Sequence, residues 1–367
     1  MLMAGAAGRN LGKTEFLCRA IRTQAKQVPV IGIKVTTFDA DEPMKTDTYR
    51  SIEGDFQVLL EEPGGDGAKD TQRMYGAGAS KVFWLRANRP FLELGLEALF
   101  QLMEEEGIDL TADCIVMESG GARNFIEPGL FFVIREHNDE LKPSVAEVAH
   151  WTDRLNTVTR DGWDVLPEDL VFRNTRWGLE EDATAIILSG GGSTRMGEDK
   201  AVMPIDGQPM LSTVVNQLLP NFNTVLISGS AEKYEFSGCR VVEDLELERG
   251  PLMGLLSTLK QSDHALNFVT ACDVPDIHMP FVRRMIDHIG EHDAVVPALP
   301  DGSLQPLFAV YRKGATLPAI ESLLADGRQA VHALLDQLKV RTVELNGDWY
   351  HNLNTPHDVE HYGKTRS

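Results

Sequence analysis

The 367-residue chain is long enough for two domains of about 180 residues, and its 43% hydrophobic and 25% charged content excludes wholesale disorder and a fibrous architecture. Lysine and arginine total 35 against 55 acidic residues, and the resulting net charge of −20 argues against nucleic acid as a partner. A phosphate-bearing ligand must then be small, held by backbone amides, one or two cations and a metal.

Short apolar runs alternate with helix-length amphipathic segments through both halves, the pattern of α/β domains with mostly parallel sheets and helices on both faces. In the first half strands are expected at 1–6, 30–35, 81–85, 114–118 and 130–134, with helices after Gly12 and over 90–106. The apolar start lacks a basic flank and meets Arg9 early, which suits a strand rather than a secretory leader, and no run reaches the roughly 18 apolar residues of a membrane span. A cytoplasmic protein without a membrane partner is expected. Cys18, Cys114, Cys239 and Cys272 are scattered, so neither a disulfide framework nor a structural zinc site is indicated, and buried thiols are expected.

Residues 7–14 read A-G-R-N-L-G-K-T, a Walker A pattern with Ala at its first position. Gly8 and Gly12 suit a phosphate loop, Lys13 can reach β- and γ-phosphates, and Thr14 can ligate Mg²⁺. Asp39 beyond the run VIGIKV and Glu118 at the end of CIVME stand where acids for the same Mg²⁺ belong, although solvent-exposed strand ends are the alternative. The acidic, glycine-containing loop 61–70 reads as mobile and solvated. Residues 141–178 carry Trp151, Trp163 and Trp177 without a recognisable pattern, and packing between domains is one reading of them. The polar stretch 174–182 is the expected boundary, giving domains at 1–178 and 183–367.

The second half opens with a strand at 184–188, followed by S-G-G-G-S-T-R-M-G-E-D-K over 189–200. Gly190, Gly191 and Gly192 let backbone N–H groups approach a phosphate or a base edge, and Arg195 and Lys200 add positive charge. A glycine turn with two solvated cations is the bland alternative. Further strands are expected at 224–228, 267–271, 293–297 and 305–311. Asp273 follows the apolar run FVTAC and should stand at the carboxyl edge of the sheet, where open α/β folds bind ligands and where one carboxylate suits Mg²⁺. A capping aspartate is the competing reading. No Ser, Cys or His nucleophile is evident, as expected for phosphoryl chemistry that rests on positioning and charge neutralisation.

Loop 189–200 resembles the signature of the molybdenum cofactor guanylyltransferases (MobA), a branch of the Rossmann-like nucleotidyltransferases, with Ser189 in place of Ala. The resemblance continues through V-V-E-D (241–244), G-P-L-M-G-L (250–255), A-C-D-V-P (271–275), Q-P-L-F-A-V-Y (305–311) and N-L-N-T-P (352–356). It implies transfer of GMP from GTP to the phosphate of molybdopterin. Leu188, Gly190 and Gly191 would lie against guanine and ribose, and Ser228 would replace a nucleotide-contacting Asn. Asp244 would be a further nucleotide contact, and Asn352 and Asn354 would face the pterin or its phosphate; an Asx turn is the other reading of these asparagines. Asp273 would hold Mg²⁺, Lys200 would stabilise charge at the α-phosphate, and Arg195 would hold the β- and γ-phosphates. Cytidylyl relatives share most of the loop but usually carry L-A-A-G, so Gly190 favours guanine by analogy; a sugar-1-phosphate acceptor and a non-catalytic, cofactor-delivering adaptor are the other readings.

The first half resembles the small GTP-binding MobB proteins through its Walker loop, G-I-K-V-T (32–36) and K-D-T-Q-R-M-Y-G-A-G-A (69–79). That implies a P-loop NTPase-like domain for GTP binding or for cofactor delivery to apo-molybdoenzymes or their chaperones. A homodimer is expected by analogy with P-loop proteins that pair.

Overall fold

A computed structural model describes residues 1–8, 11–38, 54–64, 67, 69–136, 146–159, 162–189, 199–205, 207–246, 249–345, 347, 349–353, 358 and 362. The chain divides into two units, Met1–Leu179 and Glu180–Ser367.

In the first unit the elements run β1 (Leu2–Ala6), α1 (Lys13–Gln24), β2 (Val30–Phe38), β3 (Phe56–Leu60), α2 (Asp70–Gly76), β4 (Lys81–Asn88), α3 (Leu92–Glu105), β5 (Cys114–Glu118), β6 (Leu130–Arg135), β7 (Arg154–Thr159), β8 (Gly162–Trp163), β9 (Leu170–Arg173) and β10 (Arg176–Leu179). Eight strands form one sheet in the order β3-β4-β2-β5-β1-β6-β7-β8, parallel from β4 to β7 with an antiparallel strand at each edge. Alternate strand residues feed two cores, the expected consequence of period-two side chains on a sheet covered on both faces. Leu2, Ala4, Val116 and Phe132 pack with Phe16, Leu17 and Ile21 of α1, whereas Met3, Met117, Phe131 and Val133 pack with Leu92, Leu96 and Leu99 of α3.

The tryptophan-bearing stretch belongs to this unit. Trp177 is 2% exposed and donates its indole N–H to the Ile115 carbonyl at 2.9 Å, and Trp163 packs edge-on to Phe16 with ring centroids 5.4 Å apart. The polar stretch that reads as a linker is partly a hairpin: Asn174 (φ 49°) and Thr175 (φ 62°) form the two-residue turn between β9 and β10, a conformation Asn tolerates well.

The second unit contains β11 (Glu181–Leu188), the short pair β12 (Pro204–Ile205) and β13 (Gln208–Pro209), α4 (Met210–Leu218), β14 (Phe222–Ser228), α5 (Ala231–Tyr234), β15 (Arg240–Val242), α6 (Pro251–Gln261), β16 (Leu266–Ala271), α7 (Met279–Asp287), β17 (Ala294–Ala298), β18 (Phe308–Arg312), α8 (Lys313–Ala325), α9 (His332–Leu335) and β19 (Val340–Glu344). Its sheet runs β15-β14-β11-β16-β18-β17-β19. The strands from β15 to β16 are parallel, but β18 runs antiparallel to both neighbours, so the sheet is mixed. Helices α4 and α7 cover one face, and α6 and α8 the other. Chain order leaves β11 for β14 and β15, then returns to β16 on the other side, placing a topological switch point at β11.

Arg283 of α7 is 1% exposed and donates to Glu181 Oε1 at 2.7 Å and to Asn221 Oδ1 at 2.6 Å, which anchors the start of β11 to the helix layer. Removing one partner of such a pair leaves a buried charge. Arg283→Met is therefore expected to destabilise this unit by about 3–5 kcal/mol, read as a lower urea midpoint for the full chain. An unchanged midpoint would contradict this.

Candidate functional site

The carboxyl ends of β11, β14 and β16 are aligned by register, since Leu188 is level with Ser228 on one side and Ala271 on the other. The chain turns out of the sheet there: Cys272 N–H donates to the Leu188 carbonyl at 3.1 Å and Ser189 N–H to the Ser228 carbonyl at 3.2 Å. Asp273 emerges directly beyond and receives Lys200 Nζ at 3.0 Å, both side chains less than a fifth exposed. Lys200 is carried on a 3-10 turn, Lys200–Val202, whose N-cap Asp199 accepts the Ala201 N–H at 3.1 Å.

A second polar pair borders the same edge. Ser228, 1% exposed, donates to Asp244 Oδ1 at 3.2 Å. Burial holds the Asp244 carboxyl above the usual carboxylate range, against the lowering effect of the Ser228 hydroxyl. Gly254 on α6 makes room, because a Cβ there would fall 2.3 Å from Ser228 Oγ. Leu188 itself is 5% exposed with its side chain in the core, so only its backbone borders the edge. The C-terminal segment returns here as well: Leu353 N–H donates to the Asp273 carbonyl at 2.9 Å, which brings the exposed Asn352 beside the strand end. Burial first, then the Asp273 charge, pushes the nearby Tyr350 hydroxyl up to about 12. Gly190, Gly191, Gly192, Arg195 and Asn354 lie outside the described residues.

In the first unit Gly12 takes the left-handed conformation (φ 79°) at the start of α1, where a Cβ would also press on the Trp163 ring at 3.2 Å. Behind it Thr14 donates to Glu118 Oε2 at 2.8 Å, and Lys13 Nζ lies 3.8 Å from Glu118 Oε1. Glu118 is 3% exposed rather than a solvated strand end. Lys34 of β2 joins the cluster, reaching Glu118 Oε1 at 2.6 Å and Asp70 Oδ2 at 2.7 Å. Burial alone would raise the Asp70 carboxyl, but Lys34 outweighs it and holds the group below the usual carboxylate range. The end of loop 61–70 is thus tied into the cluster through Asp70, while residues 62–64 and 67 are exposed. Gly8 sits at the carboxyl end of β1 with Leu11 packed against it; Asp39 lies outside the described residues.

Lys34 and Asp70 have no assigned role in the sequence reading, although both fall inside its G-I-K-V-T and K-D-T-Q-R segments. Their convergence depends on the order β2-β5-β1, which the linear pattern does not contain. Among the described residues no group of three or more His, Cys, Asp or Glu side chains gathers to hold an ion, and no helix is long and apolar enough to cross a membrane.

The family described as the MobA-like NTP transferase domain matches residues 185–342, inside the second unit. A probable molybdenum cofactor guanylyltransferase of Pelotomaculum thermopropionicum is 40% identical over 144 residues, 39% of this chain and 70% of that protein. The molybdenum cofactor guanylyltransferase of Serratia proteamaculans is 33% identical over 187 residues, 49% of this chain and 93% of that protein. The chain belongs to the molybdenum cofactor guanylyltransferase family. It is a nucleotidyltransferase, and the family match begins within β11, at the strand that leads into the Lys200–Asp273 edge. Among solved structures, molybdopterin-guanine dinucleotide biosynthesis protein A from Archaeoglobus fulgidus is similar with a TM-score of 0.44 and 20% identity, covering 50% of this chain and 98% of that one. The matches to the two guanylyltransferases span 39% and 49% of the chain.

Proposed function

We propose that the second unit transfers GMP from GTP to the terminal phosphate of molybdopterin. The observation that carries the reading is the Lys200–Asp273 pair at the switch point of a nucleotidyltransferase sheet, flanked by the Ser228–Asp244 pair and the Asn352 segment. An oxygen of the molybdopterin phosphate attacks the α-phosphorus in line. The bond from that phosphorus to the bridging oxygen breaks, and pyrophosphate leaves with the electron pair. Lys200 stabilises charge on the non-bridging α-phosphate oxygens, Arg195 holds the β- and γ-phosphates, and Gly190, Gly191 and Gly192 give backbone N–H groups close approach. Leu188, Ser228 and Asp244 border the nucleoside, and Asn352 and Asn354 face the pterin.

Asp273 is partly exposed and, among the described residues, belongs to no group of three or more His, Cys, Asp or Glu side chains, which suits Mg²⁺, an ion that takes one or two carboxylates and completes its shell with phosphate oxygens and water. Bound there, the ion would neutralise phosphate charge and polarise the α-phosphate. The first unit, in this reading, is a MobB-like P-loop site that binds GTP through Gly8, Gly12, Lys13 and Thr14, with Glu118 and Asp39 toward Mg²⁺, and serves cofactor delivery to apo-molybdoenzymes or their chaperones in the cytoplasm. The Thr14–Glu118 contact fits that ion.

The base choice is tested by supplying each nucleoside triphosphate with molybdopterin and following pyrophosphate release. Turnover with GTP at least tenfold above CTP is expected, a discrimination of about 1.4 kcal/mol. Equal or faster turnover with CTP would replace guanylyl by cytidylyl transfer.

A further inference from the structure

Ser189 and Asp199 are the last described residue before, and the first after, the glycine-rich stretch 190–198. One buried side chain touches both. The Tyr234 hydroxyl lies 2.8 Å from Asp199 Oδ2 and 3.2 Å from the Ser189 carbonyl oxygen, although Tyr234 stands 35 residues further along the chain and is 2% exposed.

The contact continues to the reacting edge. Asp199 uses its other oxygen, Oδ1, to cap the turn that carries Lys200, and Lys200 points at Asp273. The ring is admitted by Gly229 (φ 151°), where a Cβ would sit 2.4 Å from the tyrosine ring and 3.0 Å from Ser189 Oγ. On the exposed side Lys233 Nζ lies 3.6 Å from Asp199 Oδ2. A residue that only filled the core here would need no hydroxyl. Burying a phenol costs free energy unless it finds a partner, and a carboxylate is among the strongest acceptors. Burial first, then Asp199, raises the hydroxyl above its ordinary value, so it is a proton donor at neutral pH.

We propose that Tyr234 is a positioning residue of the nucleotidyltransferase site, a clasp that holds the two ends of the phosphate-loop segment together and, through Asp199, aims Lys200 at Asp273. It acts through Ser189 and Asp199 and touches no reacting atom. The proposal rests on the reading of this edge as the triphosphate site but not on the choice of base.

The test first titrates each nucleoside triphosphate with Mg²⁺ into the wild-type chain by calorimetry, which judges the base choice, and uses the tightest one thereafter. Tyr234→Phe, which removes only the oxygen, is expected to weaken that triphosphate roughly tenfold and to raise its KM by a similar factor, as for loss of a hydrogen bond to a charged group. Its Tm should stay within about 4 °C of wild type. Asp199→Ala should show a loss at least as large, and the double variant no more than Asp199→Ala alone, because the hydroxyl acts through that carboxylate. Triphosphate affinity within twofold of wild type in Tyr234→Phe, or additive losses in the double variant, would overturn the clasp. A wild type that favours CTP would overturn the base choice and leave the clasp to be judged with CTP.

Discussion

Asp273→Asn is expected to lower kcat for nucleotidyl transfer by at least about 10³-fold while leaving the fold intact. The side chain is 17% exposed at the end of β16 and buries no apolar surface of its own, so its loss removes a charge from the edge rather than a support from the core. Two effects add in the same direction. The neutral amide is a poor Mg²⁺ ligand, and the Lys200 ammonium loses the carboxylate that now receives it at 3.0 Å, so it is no longer aimed at the phosphates. The measurement is single-turnover pyrophosphate release at saturating Mg²⁺, with Tm recorded in parallel. Turnover within tenfold of wild type would mean that Asp273 does not carry the chemistry, and the absence of pyrophosphate release from the wild type itself is what the adaptor reading requires.

The parts of this architecture that were legible in the sequence are those that burial on both faces writes into a strand. The run CIVM is apolar throughout because β5 lies between β2 and β1 and is covered on either side, and FVTA is mainly apolar for the same reason in β16. Edge strands carry a weaker signature. β3 is mostly half-buried, β15 is three residues long, and β19 has only exposed and half-buried positions, so none stands out from polar surroundings. Strand direction is likewise invisible: 305–311 reads as another buried strand, and only the pairing shows that β18 opposes β16.

The sites divide along the same line. A glycine-rich loop and an acid after an apolar strand are local patterns, so Lys13, Thr14, Lys200, Asp273 and Glu118 were nameable one by one. Tyr234 and Asp199, or Lys34 and Asp70, meet only because the strand order folds distant segments to a common edge. A tyrosine six residues past the end of β14 has no local feature that marks it, apart from the small residue Gly229 that lets its ring approach.

In the first unit the corresponding expectation concerns occupancy. Calorimetric titration of the wild-type chain with Mg²⁺–GTP should give two sites per chain, and Lys13→Ala should lose one of them, with affinity at that site reduced roughly 10- to 100-fold. Lys13 is 30% exposed with its ammonium 3.8 Å from Glu118 Oε1, whereas Lys34 holds the same carboxylate at 2.6 Å. In this reading Lys13, the more exposed lysine and the one in the Walker loop, meets the incoming phosphate while Lys34 keeps the buried Glu118 compensated. Removing Lys13 costs the phosphate contact and little of the packing, so Tm should hold. Removing Lys34 instead would strand a carboxylate that is 3% exposed. Two sites surviving in Lys13→Ala, or a single wild-type site that Lys13→Ala leaves intact, would show that the Walker loop does not bind GTP and would separate the first unit from the MobB-like reading.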